Sequence, residues 1–93
     1  MRQASLDQIA PLLEVLRAHP ALEEVRPLMF HLYGCDFLHF HDYPDGVAAD
    51  VRLATRVVRM RVASEMEQAE LLGQIEDCLT TLDARSRHRR RRS

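Results

Sequence analysis

The chain has no lysine, only three glycines and only two cysteines in 93 residues. Three glycines leave no glycine-rich loop to cradle a phosphate, so a P-loop or dinucleotide fingerprint is excluded. Cys35 and Cys78 lie far apart and form no C-x-x-C, which removes zinc fingers and a disulfide framework and leaves two reduced thiols as the expectation. No apolar run approaches the roughly 18–20 residues of a membrane helix, and the N-terminal MRQASLDQ lacks the apolar core of a signal peptide. A cytoplasmic protein without membrane contact is expected. No G-x-S-x-G elbow or other complete catalytic motif is present, so a non-catalytic protein is expected as well.

What is present is an ordinary globular composition, 46% hydrophobic and 29% charged, in a chain long enough for one domain. At 93 residues folding buries only about 60–70% of the unfolded surface, so self-association would add useful burial. The net charge of −1 hides an asymmetry. Residues 1–84 carry seven arginines against all 14 acidic residues, and the other six arginines (Arg85, Arg87, Arg89, Arg90, Arg91, Arg92) close the chain. The expectation is a single domain over 1–84 and a disordered, solubilising tail over 85–93. A basic Arg85–Arg92 stretch is also a candidate nucleic-acid contact, although it has no aromatic residue to stack on bases.

Ser5-Leu6-Asp7-Gln8 has capping-box spacing, and Leu6, Ile9, Leu12, Leu13 and Leu16 follow at helical period, which predicts a helix over about 6–18. Pro11 argues for an irregular first turn or a start at Pro11 itself, and His19-Pro20 ends the helix. From residue 25 the period shifts toward two. Strands are predicted over 25–33, 37–42 and 47–53, and a weaker fourth over 56–62. A second capping box at Ser64 to Glu67 opens a helix over about 65–83, with Leu71, Leu72, Ile75, Cys78, Leu79 and Leu82 on one stripe. The predicted fold is α+β: a two-layer sandwich with a four-stranded antiparallel meander and both helices on one of its faces.

Alternation of side chains fixes which residues share a face. Bringing Leu38 and Phe40 together with Val47, Ala49, Val51 and Leu53 places Asp42 opposite Val47 and His39 opposite Asp50. Bringing Leu28, Phe30 and Leu32 onto the same side places Tyr33 opposite Phe37 and His31 opposite His39, with Gly34-Cys35-Asp36 as the loop. The face away from the helices then carries Met29, His31, Tyr33, Phe37, His39, His41, Asp50 and Arg52, bordered by Arg59 and Arg61. Aromatic residues, methionine and arginine on one open face have the composition of an interface, so a homodimer or another protein partner is expected there. The competing expectation is a small ligand or a divalent metal held by His31, His39, His41 and Asp50, since imidazole nitrogens and a carboxylate can converge from neighbouring strands. His39 paired with Asp50 by a simple cross-strand hydrogen bond is the structural alternative.

The run Gly34-Cys35-Asp36-Phe37-Leu38-His39-Phe40-His41, then Asp45-Gly46 and Ala49-Asp50-Val51-Arg52-Leu53, resembles the small bacterial and archaeal luciferase-like domain family. Those domains have an N-terminal helix, a G-x-x-F/I-x-H-x-H segment, a D-x-x-L strand and a C-terminal helix. The resemblance implies an architecture and points to His39, His41 and Asp50 without giving them roles, and it implies no light emission. The longer insert expected before the last strand is nearly absent between Leu53 and Arg56.

Overall fold

The computed structural model describes residues 1–92, with side-chain surroundings through Leu82. The order is α1 (Gln3–Ala18), β1 (Leu22–Arg26), β2 (Met29–Leu32), β3 (Cys35–Tyr43), β4 (Gly46–Leu53), β5 (Arg56–Arg61) and α2 (Glu65–Arg92). The five strands form one antiparallel sheet in the order β1-β2-β3-β4-β5. The α+β class and the flanking helices agree with the expectation; the strand count of four does not. The expected disordered tail, 85–93, lies outside the residues whose side chains are described, and α2 is assigned as far as Arg92.

The missed strand, β1, overlaps the predicted segment 25–33 only at Val25 and Arg26, and the rest of that segment holds a turn and β2. Pro27 and Leu28 form a two-residue turn between β1 and β2, with Arg26 paired to Met29. Pro27 suits the first bend, and Leu28 takes a φ of 67° where glycine or asparagine is usual. Glu24 holds this turn, because its carboxylate accepts a 3.0 Å hydrogen bond from the Leu28 N–H and bonds of 2.7 and 3.1 Å from the Arg17 guanidinium on α1. The Arg17 bond is the main cause that holds the Glu24 carboxyl below its ordinary range.

A second correction concerns the next turn. Tyr33 and Gly34 connect β2 to β3, both with positive φ (52° and 81°), as a type I′ hairpin turn requires. That turn pairs Leu32 with Cys35 and His31 with Asp36, and continued without interruption it would aim His39 inward and Leu38 outward. A bulge at Phe37 prevents this: Phe30 then faces Leu38 and Met29 faces His39. Phe37, Leu38 and Phe40 are all buried as a result. The expected pairs Tyr33–Phe37 and His31–His39 therefore do not form. By contrast β3 and β4 pair in the expected register, with His39 opposite Asp50 and Asp42 opposite Val47, around the turn Pro44-Asp45.

Both helices contribute to a single core. Ile9, Leu12, Leu13 and Leu16 of α1 and Leu71, Ile75 and Leu79 of α2 cluster with Phe30, Leu38, Phe40, Ala49, Val51 and Val62. The second capping box forms as expected, the Ser64 N–H donating to Glu67 Oε1 (3.0 Å) and the Glu67 N–H to Ser64 Oγ (3.1 Å). The first does not. α1 starts at Gln3, contains Pro11, and has no side-chain cap of its own at Arg2. Ser5 is instead buried, and its hydroxyl donates to Asp42 of β3, which also accepts from the Arg2 N–H at 2.7 Å. A strand carboxylate thus takes up part of the donor capacity at the helix start, where negative charge is favoured.

Candidate functional site

The register just described decides which chemical groups meet on the helix-free face. One row across the sheet reads Met29, His39, Asp50, Arg59; the next reads His41, Ala48, Arg61. Because β3 alternates, His39, His41 and Tyr43 follow one another on this side. The His39 and His41 ring centroids are 3.7 Å apart with the planes inclined at 62°, and His41 and Tyr43 are 5.7 Å apart. The Arg59 guanidinium lies over the Tyr43 ring at 3.8 Å, which continues the line with a cation–π contact.

Asp50 anchors this line from the neighbouring strand. Tyr43 donates its hydroxyl to Asp50 Oδ2 at 3.0 Å, Arg59 donates Nε to Oδ1 at 3.3 Å, and His41 Nε2 stands 3.6 Å from Oδ2. His39 is the register partner of Asp50, but the carboxylate is occupied by Tyr43 and Arg59. The Tyr43 hydroxyl is pushed up, first by desolvation and then by its bond to Asp50. The His39 imidazole is pushed down, first by loss of hydration and then by the neighbouring His41, with Asp50 opposing both. Ala48 is only 3% exposed although no helix covers it, because it lies in register between His41 and Arg61.

The eight residues expected on this face divide into two groups. Met29, His31, His39, His41, Asp50 and Arg52 are on the helix-free side as expected. Phe37 is a correction: the bulge leaves it 6% exposed, within the core cluster. Tyr33 is another, at the tip of the β2–β3 turn and 65% exposed, off the face. His31 is turned to Asp36, with Nε2 2.8 Å from Oδ1, and does not join His39. Among the described residues no three His, Cys, Asp or Glu side chains are placed to hold a metal ion.

Tyr43 and Arg59 are the contributors that the sequence reading placed elsewhere, Tyr43 in a loop and Arg59 only at the border. The signal for Tyr43 was its parity with His39 and His41, continued by one more pair into the turn. No family model, curated protein or solved structure matches the chain.

Proposed function

We propose that this chain is a non-catalytic association module that pairs with a second copy of itself through the helix-free face of its sheet. The observation that supports this reading most directly is the line His39, His41, Tyr43 and Arg59, in which Asp50 holds Tyr43 and Arg59 by hydrogen bonds and the two imidazole rings pack against each other. These groups are held in place before any partner arrives, so little side-chain freedom remains to be lost on contact. Met29 and the exposed Val57 add apolar surface beside them. A patch of this kind suits a two-fold axis, under which a contact of one residue with a second on the other copy is repeated in reverse.

With Phe37 buried, the apolar content of the face falls to Met29, Val57 and the ring edges, which suits a modest, reversible dimer better than an obligate one. Sedimentation velocity on the full chain tests the reading. Wild type is expected to sediment as a concentration-dependent monomer–dimer mixture. Val57→Asp changes a residue that is 58% exposed, and is expected to weaken the dimer by at least about tenfold, roughly 1.4 kcal/mol, while leaving the melting curve in place. A wild type that stays monomeric at every concentration removes the proposal.

A further inference from the structure

Two grooves meet at Arg52. The smaller, of about 180 Å³, lies on the open face beside Met29, His39 and Val57. The larger, of about 370 Å³, opens at one end of the sheet, between the β2–β3 turn, the β4–β5 turn and α2. Asp36, Phe37 and Arg52 line both. The larger groove is walled mainly by carbon and sulfur, with Leu32, Phe37, Cys35, Cys78 and Leu82 around it, and its volume falls in the range of small-molecule sites, about 300–1,000 Å³.

The groove carries one carboxylate, Asp36, and one guanidinium, Arg52, and the two differ in their partners. Asp36 is engaged by His31 at 2.8 Å, and Asp50 by Tyr43 and Arg59. Arg59 and Arg61 each have carboxylates of their own, Asp50 for the first and Asp45 with Glu67 for the second. Arg52 has no ion-pair or hydrogen-bond partner among the described residues, and it stands where the apolar walls begin. A guanidinium presents paired N–H donors in the plane that a carboxylate fits, and an apolar wall beside it selects for a carbon chain behind that carboxylate.

We propose that the larger groove is a binding site for a small amphipathic carboxylate, its head on Arg52 and its apolar body between Phe37, Cys78 and Leu82. The apolar body of the site lies at the end of the sheet, away from the His39–His41–Tyr43 line, and only Arg52, the register partner of Val57, also belongs to the open face. Occupancy brings the ligand against both thiols, so cysteine alkylation reports it directly. Neither charge nor chain alone suffices: a head without a body gains only a solvent-exposed ion pair, and a body without a head leaves the guanidinium unused.

The test is mass-spectrometric measurement of iodoacetamide labelling at Cys35 and Cys78 of the full chain, with octanoate, octanol and acetate as separate probes. Octanoate is expected to slow labelling of Cys78, and acetate and octanol at equal concentration to leave it near the free rate. Shortening the chain from octanoate to hexanoate is expected to weaken protection by about fourfold for each methylene that leaves the groove. Arg52→Met, an exposed site, should abolish protection, whereas Arg56→Met on β5, outside the groove, should preserve it. Protection by octanol equal to that by octanoate, protection retained in Arg52→Met, or none with octanoate overturns the proposal. Monomeric wild type would overturn only the association reading.

Discussion

The two faces of this sheet are made from alternate residues of the same strands, yet they follow different physics. The inner face is apolar and covered by two helices; its residues have no partner but one another, and burial alone orders them. On the outer face a single carboxylate fixes a phenol and a guanidinium through directed bonds, and two imidazoles pack against each other beside them. Stability therefore belongs mainly to one side and chemistry to the other. Phe37 is where they touch, buried in the core while lining grooves on both sides of Arg52.

The sharpest way to break this contrast is to truncate one residue of each kind. Phe37→Ala removes a buried ring and is expected to cost about 3–5 kcal/mol in urea denaturation. Val57→Ala on the open face is expected to stay within about 0.5 kcal/mol. Similar losses at both positions would mean that the open face contributes to folding as the core does.

A smaller effect concerns the tie between α1 and the sheet. The Ser5 hydroxyl and then the Arg2 N–H hold the Asp42 carboxyl below its ordinary range. For a carboxylate depressed in the folded state, the stabilisation is complete above the unfolded value, about 3.9, and disappears as pH falls through the depressed folded value. Asp42→Asn should lower the melting temperature at neutral pH and bring it nearer to wild type in acid. A constant difference across an acid titration would show that the bond to Ser5 does not depend on the charge.

The smallest effect lies within the ring line. Lowering of the His39 value means that the unfolded chain binds more protons just below the ordinary imidazole value, about 6.5. Stability is then complete above that value and declines as pH falls from it toward the lower, folded value. His39→Gln should flatten this part of the melting curve between about pH 7 and pH 5. An unchanged slope would show that His39 is not the source of the pH dependence.

How much of this was legible in the sequence varies with the range of the interaction that decides it. The β3–β4 register was readable, because one apolar pattern and one local turn sequence agree, but the four-residue loop expected over Tyr43-Pro44-Asp45-Gly46 tightens to Pro44-Asp45 because Tyr43 pairs with Gly46. The β1–β2 turn was not, since Leu28 adopts a left-handed conformation that its side chain does not favour and that tertiary contacts, Glu24 among them, help maintain. In β2–β3 the correct inward set, Leu38 and Phe40, was inferred with the wrong device. A three-residue loop and a tight turn plus bulge give the same parity beyond residue 38 but opposite fates for Phe37, and only packing chooses between them. Likewise Ser5 has the spacing of a local cap, but its hydroxyl is claimed by Asp42 from far along the chain.

The β-meander also bears on how the chain reaches this state. Every strand pairs with its neighbour in sequence, and each of the four connections is a two-residue turn, so the sheet between Leu22 and Arg61 zips up through short loops alone. Short closures cost little chain entropy, and low contact order favours rapid folding even in a strand-rich domain. The distant closures are those of the helices, such as Gln68 reaching the Gln8 carbonyl across 60 positions. Deleting that contact should therefore speed unfolding far more than it slows the first passage to a formed sheet.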